Sequence, residues 1–113
     1  MSIENAQIID FISIDKTSDE CVLTISDHLE WGIENDHFLL LQEKLNKYLA
    51  FIESGEIFES YPKSKDKKIR IDLVSKYKPE NSELIDKIKS EIQNAGFGFR
   101  VDILNQDNIQ IQK

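Results

Sequence analysis

The strongest constraint on this fold is a change of hydrophobic period across residues 26–31. Before it, Cys21, Leu23 and Ile25 alternate with Val22, Thr24 and Ser26, which is the pattern of a half-buried strand. From about Glu34 the period becomes helical, and Leu41, Leu45, Tyr48, Leu49 and Ile52 fall on one stripe. The junction itself, Ser26-Asp27-His28-Leu29-Glu30-Trp31, holds the only Trp and one of two His residues. A strand end meeting a helix start lets polar groups converge without breaking a core.

The remaining segments read around that junction. Ile8–Ile14 is β-branched and aromatic, a first strand, and the polar run Asp15–Glu20 makes a turn to the second. So short a connection predicts an antiparallel hairpin. The first helix should run to about Ser54, with Asn35 or Asp36 as cap, Glu34 and Asp36 favourable to the dipole, and Gly55 as its left-handed stop. Phe38–Leu41 is apolar nearly all round, so its first turns are expected to be covered on several sides. Residues 56–65 give no clear period. Ile69, Ile71 and Leu73 alternate with Arg70 and Asp72, a third strand reaching about Tyr77, and Pro79 ends it. Asn81 or Ser82 caps a second helix with the stripe Leu84, Ile85, Ile88, Ile92 and Ala95, stopped by Gly96. Phe97, Phe99, Val101 and Ile103 then make a fourth strand, and residues 105–113 add a short edge strand or fray.

These elements predict a single α/β domain over residues 1–113, a two-layer sandwich. Its four-stranded mixed sheet has the order β-β-α-β-α-β, with both helices on one face. Residues 67–104 form a parallel, right-handed strand–helix–strand unit. The opposite face carries Thr24, Ser26, Arg70, Asp72, Arg100 and Asp102, toward solvent or a wet interface.

Charge narrows the function. The net charge is −7, so nucleic acid would meet a repulsive field. The charge is unevenly spread, with −10 in residues 1–60 and +3 in 61–113. That polarity suits solubility, a basic partner or contact between copies. No apolar run approaches the ~20 residues of a membrane span, and the first residues lack a signal-peptide pattern. Cys21 is the only cysteine, which leaves no internal disulfide and suits a reducing cytoplasm.

Candidate chemistry is sparse. Asp27, His28, Glu30, Asp36 and His37 include legitimate metal ligands and acid–base groups. Their spacing matches no established ligand motif, and no metal or cofactor is expected. At the turn, Ser26 or Asp27 is expected to bond backbone amides, with His28 packed beside Trp31. Trp31 is an anchor for binding or a plug for the core. Cys21 lies on the inward face and should behave as a small hydrophobe. Lys63, Lys65, Lys67, Lys68 and Arg70, flanked by Tyr61 and Tyr77, carry interspersed Asp66 and Asp72 and no phosphate loop. They read as a solvated loop and an edge strand guarded by lysine.

Thr24–Trp31, followed by His37–Gly55 (H-F-L-L-L-Q-E-K-L-N-K-Y-L-A-F-I-E-S-G), resembles a family of small uncharacterised bacterial proteins, a domain of unknown function. The likeness is close over the first half and looser at 69–74 and 92–99. It implies a cytoplasmic bacterial protein and transfers no catalytic residue. Two functional expectations follow. The first is a protein-interaction module without catalysis, acting as a homodimer or on a protein partner, with toxin neutralisation as a specific form. Asp27, His28, Glu30 and Trp31 are its candidate binding residues. The alternative is a small enzyme or metal-binding protein with its site around Asp27, His28 and Glu30.

Overall fold

A computed structural model describes residues 9–28, 37–78 and 82–104. The described elements are β1 (Phe11–Asp15), β2 (Glu20–Asp27), α1 (His37–Glu53), α2 (Glu56–Ser60), a 3-10 turn (Pro62–Ser64), β3 (Lys68–Ser75), α3 (Ser82–Asn94) and β4 (Gly98–Ile103). The fold is α+β, built on a four-stranded mixed sheet of order β1-β2-β3-β4. β1 and β2 form the antiparallel hairpin, while β2–β3 and β3–β4 are parallel. The expected order changes in one respect: α2 and the 3-10 turn lie between α1 and β3. Five and three residues are too few to display a helical period.

The hairpin turn is held by a side chain. Asp15 Oδ1 accepts from the N–H of Thr17 at 2.9 Å and of Ser18 at 3.4 Å. The chain then passes through Asp19 with φ 60°, a left-handed conformation that Asp tolerates. Gly55, at φ 84°, ends α1 and begins α2. Gly96, at φ 97°, ends α3 with two bonds, Gly96 N–H to Gln93 C=O and Phe97 N–H to Ile92 C=O. That pair is a Schellman motif.

One apolar cluster organises the molecule. It joins Cys21, Leu23 and Ile25 of β2, Ile69, Ile71 and Leu73 of β3 and Phe99 of β4 to Leu41, Leu45, Tyr48, Phe51 and Ile52 of α1. Ile57 of α2 and Ile88 and Ile92 of α3 complete it, and Ile12 and Ile14 of β1 pack against it. Each inward strand side chain is separated from the next by one residue, as the pleat requires.

Four sequence expectations are corrected. The third strand stops at Ser75. β3 is central, so Lys68 guards no edge. Leu39 is 56% exposed, so the first turns of α1 are not covered all round by described residues. Arg70 and Asp72 are only 9% and 6% exposed, because they bury each other, as described below. The cap residues Asn35, Asp36 and Asn81, together with Ile8, Glu34, Pro79 and residues 105–113, lie outside the described residues.

Candidate functional site

Three polar constellations flank the sheet, two on the side that α1 covers and one on the opposite face. On the helix side, Asp27 closes the row Cys21, Leu23, Ile25, and so points toward α1. His37 opens α1, and its Nε2 lies 2.5 Å from Asp27 Oδ2, with both side chains buried. Ser75 stands beside Asp27 in the β2–β3 register and is fully buried. Its hydroxyl donates to the Tyr77 carbonyl at 2.6 Å.

Farther along α1, Lys44 and Tyr48 occupy the same buried stripe one turn apart. Lys44 Nζ donates to Asp10 Oδ1 at 2.9 Å, and Asp10 Oδ2 accepts from Ser26 N–H at 3.0 Å. The Tyr48 hydroxyl accepts from Asp10 N–H at 2.9 Å and donates to the Thr24 carbonyl at 2.7 Å. Burial pushes the Tyr48 phenol far above its ordinary range, so it stays neutral. This constellation fastens the entry of β1 and the end of β2 to one helix.

On the other side, Arg70 binds three carboxylates. Its Nε and Nη2 grip Asp72 at 2.7 and 3.1 Å, its Nη1 meets Glu20 at 2.7 Å and its Nη2 meets Asp15 at 3.2 Å. Arg100 Nη2 adds a contact to Asp72 Oδ2 at 3.2 Å. Asp72 dominates in raising the Arg70 guanidinium above its ordinary value. Gly98 stands opposite Arg70 in the register, and a β-carbon there would lie 3.2 Å from Arg70 Cγ. The glycine therefore makes room for the arginine stem to lie flat.

A His–Asp pair is the arrangement general bases use, yet this one is enclosed and Ser75 spends its only proton on Tyr77. Among the described residues, no group of three or more His, Cys, Asp or Glu is placed to hold a metal ion. A groove of about 170 Å³ between α1 and α3, lined by Gln42, Leu45, Asn46, Leu49, Ile88 and Glu91 among others, is smaller than the ~300–1,000 Å³ of small-molecule sites.

The structure joins Asp27 to His37, ten positions along the chain, and leaves His28 exposed at the end of β2. Glu30 and Trp31, and with them the His28–Trp31 packing, lie outside the described residues. Asp10, Lys44 and Tyr48 were not visible as a site. A Lys inside an apolar helical stripe, with an Asp just before a strand, was the available signal. Among the described residues no helix is long and apolar enough to cross a membrane.

The profile of a family of unknown function, DUF6572, matches residues 1–105. No curated protein and no solved structure shows significant similarity to the chain.

Proposed function

We propose that this chain, which belongs to the DUF6572 family, acts by binding protein and not by turnover. The observation that carries this reading is apolar surface left in water: Phe11 is 61%, Leu39 56% and Leu104 49% exposed. Phe, Leu and other large apolar groups held in water by a well-packed domain are the raw material of interfaces. The titratable groups with the most chemical potential are meanwhile committed to the fold. Asp27 holds His37, Asp10 holds Lys44 and Arg70 is saturated by three carboxylates.

On this reading the helices share one face of the sheet, and the partner meets the edge and rim of the other. Of the candidate binding residues Asp27, His28, Glu30 and Trp31, Asp27 is buried against His37 and His28 is exposed at the end of β2, so His28 is the described member a partner can touch. The partner is protein, a second copy or a basic chain suited to the acidic first half. The site is cytoplasmic and bacterial, and uses neither nucleic acid nor membrane.

The alternative, a small enzyme or metal protein, now centres on Asp27 and His37, because their 2.5 Å contact is the one observation that favours it. Two measurements separate the readings. Mass in solution across a concentration range, together with capture from a bacterial lysate, should reveal association. His37→Gln should leave that association intact. A strictly monomeric protein that retains nothing, alongside copurifying metal lost in His37→Gln, would favour the alternative.

A further inference from the structure

Backbone orientation at the sheet edge follows from one hydrogen bond. Lys76 N–H donates to the Asp27 carbonyl at 2.8 Å, in continuation of the parallel β2–β3 ladder. Odd-numbered residues of β2 therefore turn their N–H and C=O toward β3, and even-numbered residues toward β1. Phe11, Ser13 and Asp15 stand opposite Thr24, Val22 and Glu20, so these three face β2. Ile12 and Ile14 turn their N–H and C=O outward. Among the described residues β1 pairs with β2 alone.

Edge strands are normally blunted by Pro, Lys or a bulge. Phe11-Ile12-Ser13-Ile14-Asp15 contains neither residue, and its register with β2 runs without a bulge. Phe11 stands 61% exposed on it. The opposite edge differs. β4 carries Arg100 and Asp102, each about half exposed, which is the charge that blunts an edge, whereas the one charge of β1, Asp15, is only 26% exposed and held by Arg70.

We propose that two copies of this chain pair β1 against β1, antiparallel about a two-fold axis at Ser13, to form one continuous sheet. The proposal rests on the interaction reading above and names the partner as a second copy. The axis stands perpendicular to the sheet, so the helix layers of both copies lie on the same side. Ile12 of one copy meets Ile14 of the other as a hydrogen-bonded pair, twice over, which uses every outward N–H and C=O of the strand.

Neighbouring registers fail on particular groups. An axis at Ile12 sets Asp10 against Ile14 and needs the Asp10 N–H, which already donates to Tyr48. An axis at Ile14 sets Ile12 against Lys16. A shift of one residue between strands turns the apolar side chains to the wrong face. At Ser13 the aliphatic groups meet, and Asp15 faces Phe11 of the other copy instead of another Asp15. That carboxylate is already held by Thr17 N–H and Arg70, so the phenyl ring covers a compensated charge. A five-residue ladder is well below the ~1,000 Å² of a stable interface, so the dimer is weak and depends on concentration.

The register gives a direct test. Ser13 meets its own copy in a non-hydrogen-bonded pair, with Cα atoms ~4.5 Å apart, inside the range a disulfide spans. Full-length Ser13→Cys under mild oxidation should form a disulfide dimer at least ~10-fold faster than Glu43→Cys on the exposed side of α1, because only the first is held at bonding distance. Native Cys21 is fully buried and does not compete. Phe11→Asp, at an exposed position that the monomer tolerates, sets a carboxylate across from Asp15 and should raise the dimer dissociation constant ~10-fold or more.

Equal crosslinking of Ser13→Cys and Glu43→Cys overturns the proposal, as does preferential crosslinking of Val101→Cys on β4. If sedimentation still shows a dimer that Phe11→Asp leaves unchanged, this interface is wrong while the interaction reading stands. A monomer at every concentration removes the dimer. If that monomer also captures no protein, the interaction reading falls with it.

Discussion

Removing the Tyr48 hydroxyl should cost this protein more stability than its single oxygen suggests. Tyr48→Phe keeps the ring in a fully buried position, so no cavity term enters. It deletes the only group bridging Asp10 N–H and the Thr24 carbonyl, at 2.9 and 2.7 Å. A buried polar group left unpaired costs about 1–3 kcal/mol. The Asp10 N–H is stranded in this way, while the Thr24 carbonyl keeps the Phe11 N–H opposite it in the register, so the loss should be ~1–3 kcal/mol. At about 2.1 cal/mol/K of unfolding entropy per residue, a chain this long loses ~4 °C of melting temperature per kcal/mol, or ~4–12 °C in all. Chemical denaturation with both variants would report it as a lowered midpoint at unchanged slope. The Asp10 amide should also exchange faster than those of β3. A loss under ~0.5 kcal/mol would mean that water replaces the hydroxyl, and the tie between α1 and the hairpin would not be structural.

Three further outcomes follow. Arg70→Met strands Asp72 in a buried site with Arg100 alone, so urea midpoints should show ~3–5 kcal/mol lost, and a double change with Asp72→Leu should recover much of it. The Asp15 carboxyl is held below its ordinary value first by the Thr17 N–H and then by Arg70. Its stabilisation is present above the unfolded value near ~3.9 and lost as pH falls through the lower folded value, so the stability gap between native protein and Asp15→Asn should close on acidification. Burial pushes the Cys21 thiol up, so iodoacetamide should modify it only as fast as the domain unfolds.

The elements were legible where a period ran long enough to show. Cys21, Leu23 and Ile25 announced β2, and the stripe from Leu41 to Ile52 announced α1. Gly55 and Gly96 marked helix ends because left-handed backbone is needed there. Between Glu56 and Ser64 the segments were shorter than one readable period. The polar constellations were illegible for a different reason, since each joins residues far apart in the chain. Arg70 binds Asp15 and Glu20, 55 and 50 positions away. It therefore read as part of a basic surface when it is the centre of an acidic cluster. Lys44 drew no reading from sequence, because a Lys in an apolar stripe is buried only if a distant carboxylate meets it, and Asp10 lies 34 positions back. Asp27 and His37 both stood among the candidate ligands, but ten residues separate them and no spacing motif pairs them.

Sedimentation equilibrium of the native chain and of Phe11→Asp, up to about 1 mM, bears on the whole account more directly than any activity screen. Reversible self-association that weakens when the exposed ring becomes a carboxylate is the predicted result. A native chain of constant monomer mass throughout that range, binding no other protein, would contradict it.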